Sequence, residues 1–134
     1  MSNGGTRILH VDSAITGENS VSRQITAKIV ETLRAAHPQA ELVRRDVVAE
    51  PLAHLTLDQL GDKSLVEEFL GSDVIVVGAP MYNFTVPSQL KAWIDRIVVN
   101  GTTFRYTDEG KPEGLAGDRR VIVGLSRGGV YGPE

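Results

Sequence analysis

The sequence predicts an α/β domain: a parallel sheet wound in both directions from a central strand, with helices on both faces. Three observations carry this reading. Val74-Ile75-Val76-Val77 is an unbroken β-branched run, the mark of a strand buried on both faces. Val21, Ile25, Ile29 and Leu33 recur every four residues, and Leu90, Trp93, Ile94, Ile97 and Val98 repeat a helical spacing. Shorter apolar runs alternate with these, so the order reads β-α-β-α-β-α-β and implies crossover connections.

Residues 7–11 form an apolar run too short for a helix, and it stops at Asp12-Ser13. A polar loop carrying Gly17 follows. Ser20 then stands where an N-cap belongs, and Pro38 marks the end of the first helix. Residues 41–48 read as a second strand. Between 50 and 72, Leu57, Leu60, Val66, Phe69 and Leu70 predict one helix or two short ones, broken near Gly61. The third strand ends in Gly78-Ala79-Pro80. The next helix begins after Pro87, with Gly101 predicted as its C′ glycine. Residues 102–118 read as a polar loop, and Val121-Ile122-Val123 as the last strand. No helix follows that strand, so an exposed edge and a partly bare sheet face are expected.

Length and composition bound the function. The 134 residues suit one domain, 1–134, at roughly 100–200 residues per domain. Charged residues make up 23%, with 14 Lys+Arg against 17 Asp+Glu, which gives no basic face for nucleic acid. Cysteine is absent, so disulfides, thiolate metal sites and cysteine nucleophiles drop out together. No metal site is expected. The N-terminus shows no apolar signal region and no stretch approaches the ~20 residues of a membrane span, so the expectation is a cytoplasmic protein.

Ligands of open α/β sheets bind beyond the carboxyl ends of the strands. Three such ends carry suggestive residues. The first, 13–22, offers hydroxyls at Ser13, Thr16, Ser20 and Ser22 around a helix N-terminus, a setting that favours phosphate. It contains neither a P-loop nor Gly-x-Gly-x-x-Gly. The second, Met81-Tyr82-Asn83-Phe84, puts aromatic and thioether side chains in a loop directly after a buried strand. The third, Gly124-Leu125-Ser126-Arg127-Gly128, formally matches a nucleophile elbow. That reading fails, because His10, His37 and His54 all lie upstream and no helix follows. A phosphoryl receiver fails as well, since Gly78-Ala79-Pro80 stands where its acceptor Asp would be.

These residues together resemble the FMN-dependent NADH azoreductases, or NADH:quinone oxidoreductases. The likeness rests on Asp12-Ser13, Ser20-Val21-Ser22-Arg23, Pro80-Met81-Tyr82-Asn83-Phe84, Leu90-Lys91-Ala92-Trp93-Ile94-Asp95, Thr103-Phe104-Arg105-Tyr106 and Ser126-Arg127-Gly128-Gly129. The resemblance implies a flavodoxin-like, three-layer α/β/α fold and an FMN-binding homodimer. It implies that Ser13, Ser20, Val21 and Ser22 hold the FMN phosphate. Met81, Tyr82, Asn83 and Phe84 would lie along the isoalloxazine, and Ser126, Arg127, Gly128 and Gly129 would contact its polar edge. Phe104, Tyr106 and Tyr131 are candidates for the substrate pocket or subunit interface. No side chain need act as a catalytic nucleophile: hydride from NADH reduces the flavin, which reduces a quinone or azo bond in a ping-pong cycle. The alternative is a non-catalytic flavodoxin-like module that binds FMN or dimerises. Three departures stand out: Ala14 follows Ser13, the 51–71 connection is short, and the family's fifth strand and last helix are missing from these 134 residues.

Overall fold

The computed structural model describes residues 5–129. Four strands, β1 (Arg7–Asp12), β2 (Glu41–Asp46), β3 (Val74–Pro80) and β6 (Arg120–Ser126), form one sheet in the order β2-β1-β3-β6. Every neighbouring pair is parallel. The chain steps one way from β1 to β2, then returns past β1 to β3 and β6. Two directions of winding meet at β1, as expected.

The period-two alternation of the strands sorts their side chains into two cores. Leu9, Val11, Ile75 and Val77 face α2 (Ser64–Leu70) and α3 (Ser88–Ile97), packing on Leu65, Leu90, Trp93 and Ile97. Ile8, Val74 and Val76 face α1 (Val21–Ala36) and pack on Val30. That is a three-layer sandwich. All seven residues of β3 are buried, which accounts for its unbroken apolar run.

Helix α1 starts where its cap predicts: Ser20 Oγ accepts the Arg23 N–H at 3.2 Å. Its buried stripe is shifted from the expected one. Val21 is 59% exposed, while Ser22, Thr26 and Val30 are buried against the sheet and Ile25, Ile29 and Leu33 flank them. The strands supply the reason. A Cβ on Gly78 would come within 2.9 Å of Asp12 Oδ1 and 3.1 Å of a Thr26 methyl, and one on Gly124 within 2.9 Å of Ile25. Two strand glycines let the helix close onto the sheet, and small side chains fit the narrow gap.

Other elements correct the sequence reading. Strand β2 ends at Asp46, and Val47 is buried in the turn beyond it. The 50–72 segment, by contrast, follows the second of its two readings: two short helical pieces, the three-ten turn Leu57–Gln59 and α2, broken around Gly61. Helix α3 closes at Val98, so Gly101 is not its C′ residue. Gly101 instead turns the chain at φ +85°, donating to the Phe104 carbonyl at 2.7 Å. The predicted polar loop holds an antiparallel hairpin, β4 (Phe104–Tyr106) and β5 (Pro112–Gly114). Strand β6 is longer than the predicted three residues and runs to Ser126.

Among the described residues the expected bare face is present. Val121, Val123 and Leu125 of β6 are 49%, 49% and 71% exposed on the side of the sheet that carries α2 and α3. No helix among the described residues is long and apolar enough to cross a membrane.

Candidate functional site

The sheet order reverses between β1 and β3, and there the ends of three strands converge. A cleft of about 610 Å³ is lined by Thr16, Asn19, Ser20 and Val21 of the first loop, by residues 80–82 and by residues 125–128. The three segments singled out in the sequence are therefore one site. Backbone bonds hold them in place. The Met81 N–H donates to the Ser126 carbonyl at 2.7 Å, extending the β3–β6 ladder to the rim. The Tyr82 hydroxyl accepts the Ile15 N–H at 3.0 Å and ties the second loop to the first.

The serine loop has the chemistry of an anion site. Ser20 and Ser22 hydroxyls share a 3.0 Å hydrogen bond at the start of the 16-residue α1; Ser20 lines the cleft and Ser22 is fully buried behind it, so one O–H of the pair is left to donate outward. A helix end leaves N–H groups without internal partners and a positive dipole. No acidic side chain occupies the first turn of α1 to satisfy that charge. The donor set fits a phosphate.

The second loop is wound tightly. Tyr82 and Thr85 exchange backbone hydrogen bonds at 2.9 and 3.1 Å, and the two residues between them, Asn83 and Phe84, sit at φ +50° and +68°. Left-handed backbone at both central positions is the two-residue hairpin turn that usually takes Asn-Gly. Phe84 in the second position is strained, and its ring is 75% exposed. Asn83 lines a neighbouring cleft of about 1100 Å³, which shares Met81 and Tyr82 with the first.

The remaining predicted site residues are placed as follows. Ser13 is fully buried and its hydroxyl donates to the Gly78 carbonyl at 2.6 Å, bracing β1 against β3. Gly129 follows the lined segment. Phe104 and Tyr106 meet edge to face at 5.5 Å on the hairpin and line neither cleft. Tyr131 lies outside the described residues. Sequence reasoning named Thr16 only as a loop hydroxyl and missed the contribution of Asn19, whose position in the same polar loop was the available signal.

It also missed the charge network behind the loop. Arg23 holds Asp46 with two hydrogen bonds, 2.8 and 3.1 Å, and Asp46 Oδ1 accepts the Val48 and Ala49 N–H groups at 3.0 and 3.1 Å. The Arg23 guanidinium, helped by those two N–H groups against the opposing effect of burial, lowers the Asp46 carboxyl to about 2. Asp12, 1% exposed, accepts from Thr26 at 2.8 Å and has the His10 imidazole 3.1 Å away. Burial alone would raise Asp12; His10, Thr26 and Arg23 outweigh it and leave the carboxyl below its ordinary value.

The Asp46 value predicts an acid limb in stability. A folded-state value near 2 against an ordinary 3.8 means the pair stabilises fully above pH 4 and is lost as pH falls toward 2. Thermal melts should show a loss of roughly 1–2 kcal/mol in that window for the native chain. Asp46→Asn should flatten it, and an unchanged acid limb would place its origin elsewhere.

Comparison with known proteins bears on the same features. Residues 6–134 match a family model described as Flavodoxin-like fold. The FMN-dependent NADH:quinone oxidoreductase 2 of Bradyrhizobium diazoefficiens is 50% identical over 145 residues, covering 96% of this chain and 71% of the relative. A similarly named protein of Acidovorax ebreus is 49% identical, covering 93% of this chain and 66% of the relative. Among solved structures, the azoreductase of Bacillus anthracis superposes with a TM-score of 0.83 at 29% identity, over 94% of this chain and 71% of that one. By sequence and by fold, the chain belongs to the flavodoxin-like family that includes the FMN-dependent NADH:quinone oxidoreductases and the azoreductases.

Proposed function

We propose that the chain carries an FMN-dependent NADH oxidoreductase that reduces quinones and aromatic azo compounds. The observation that supports this most is the meeting of all three strand-end segments in one cleft, with the Ser20 hydroxyl at its helix end and Ser22 hydrogen-bonded behind it. Ser20, Ser22 and the first-turn N–H groups at Val21 would hold the phosphate. Met81 and Tyr82 would wall the ring system, and Ser126, Arg127 and Gly128 would meet its polar edge. Bound FMN supplies the redox chemistry, accepting hydride from NADH and passing two electrons to the acceptor, so no side chain has to serve as a nucleophile. The chain's own part is orientation. The Met81–Ser126 bond and the Tyr82–Ile15 bond fix the cleft walls relative to the serine loop. Ser13 contributes from behind, by locking the strand ends together.

One helix N-terminus is one phosphate site, so the reading specifies FMN rather than FAD. The purified protein should be yellow, release FMN on denaturation as judged by chromatography, and bleach with NADH under anaerobic conditions. Release of FAD, or no bleaching, would overturn it.

We propose also a homodimer, formed in the cytoplasm, where NADH is available. The aromatic side chains Phe84 and Tyr106, 75% and 59% exposed, support self-association, because such groups favour burial. Asn83, Phe84, Phe104, Tyr106 and Gly129 would then meet substrate or the second subunit. Sedimentation should give about twice the 14.5 kDa chain mass; a monomer at micromolar concentration argues against it.

A further inference from the structure

The peptide plane between Ala14 and Ile15 is held at both ends. Its carbonyl accepts from Arg23, Nη2 at 2.8 Å and Nε at 3.3 Å, and its N–H donates to the Tyr82 hydroxyl at 3.0 Å. Arg23 is itself clamped by Asp46, which is anchored to the backbone of Val48 and Ala49. Ala14, Arg23 and Asp46 line a separate groove along the flank of α1, and none of them lines the cleft. The Ala14 carbonyl is thus drawn to the groove side of the loop.

That orientation matters for an anion. A backbone carbonyl turned toward a phosphate repels it, whereas N–H groups and hydroxyls attract it. Arg23 also stands in the first turn of α1, where the helix dipole disfavours a cation. Its fork serves Ala14 and Asp46 at once, which a lysine cannot do.

Resting on the proposed function above, we propose that the Arg23–Asp46 pair is a positioning device for the phosphate loop. It withdraws the Ala14 carbonyl from the cleft and so leaves the Ser20 hydroxyl and the helix N–H groups unopposed toward an incoming phosphate. Arg23 does not touch the ligand. Its effect is largest at the phosphate end; the ring wall feels it only through the bond from the Ile15 N–H to the Tyr82 hydroxyl.

The test compares FMN with riboflavin, which has the ring but no phosphate. Apoprotein of the full chain is titrated with each by quenching of flavin fluorescence, for the native chain, Asp46→Asn, Arg23→Gln and Arg23→Lys. Asp46→Asn keeps an oxygen for the Val48 and Ala49 N–H groups while loosening Arg23, and Arg23→Gln gives an independent route if that variant folds poorly. Both should weaken FMN about tenfold, the scale on which outer-shell partners act on sites they orient, and weaken riboflavin severalfold less. Equal losses for the two flavins, or none, would overturn the proposal, since a general structural role moves both alike. Recovery of FMN affinity in Arg23→Lys would also overturn it, because charge alone would then suffice. A native chain that binds FMN no better than riboflavin would instead remove the phosphate site, and the proposed function with it.

Discussion

Replacing Ser20 and Ser22 together by alanine is expected to abolish most of the FMN affinity while leaving a folded chain. Both hydroxyls stand at the start of α1, 3.0 Å from each other, with no acidic side chain in the first turn to compete for the same positive end. A hydrogen bond to a charged phosphate is worth about 1.5–3 kcal/mol, so the one outward-donating hydroxyl amounts to about ten- to a hundredfold, and the other orients it. Ser20 has a second role. Its Oγ caps Arg23 N–H, and losing that cap costs about 1 kcal/mol of helix stability. Ser22 is fully buried, so its removal leaves a small void. Melts of the apoprotein separate these effects from binding. A lowered melting temperature with an unchanged FMN dissociation constant would leave the serines with capping alone.

The parts of this fold that the sequence discloses are those whose cause is local. The β-branched run of β3 needs only burial on both faces, and the Ser20 cap and Pro38 bracket α1 from within its own neighbourhood. The three strand-end segments were legible because the crossover order of the elements puts their loops at one edge. What the sequence hid is set by contacts between distant residues. The stripe of α1 that meets the sheet begins with Ser22 and Thr26, because Gly78 and Gly124, more than fifty residues away, offer no side chains there. The Arg23–Asp46 clamp joins residues 23 apart, with no periodicity to announce it. The 104–114 hairpin escaped because each strand has three residues, too few for alternation to stand out, although Gly110 at φ +80° marks its turn. Ser13 shows the reverse case: a residue with the right chemistry in the right loop, whose hydroxyl is spent on the Gly78 carbonyl.

That same glycine gives the largest expected effect on stability. In Gly78→Ala the new methyl would stand 2.9 Å from Asp12 Oδ1, 3.1 Å from the Thr26 methyl and 3.7 Å from the Ser22 carbonyl. None of these can retreat easily. Asp12 is 1% exposed, and Thr26 and Ser22 are fully buried. Moving Asp12 or Thr26 breaks their 2.8 Å hydrogen bond inside the core, leaving a buried carboxylate short of a donor. Overpacking costs about 1–3 kcal/mol and the lost bond to a charged group about 1.5–3, so a total near 3–5 kcal/mol is expected. For a chain of this size the melting temperature should fall by roughly 10 °C or more. The strain also lifts the first two turns of α1, carrying Ser20 and Ser22 with them, so FMN affinity should drop in the same variant. Adding Thr26→Ser removes the crowded methyl and keeps the hydroxyl that Asp12 needs, and it should recover part of both losses. If Gly78→Ala melts like the native chain, α1 does not sit as close to β3 as described, and the account of why small residues line that face fails with it.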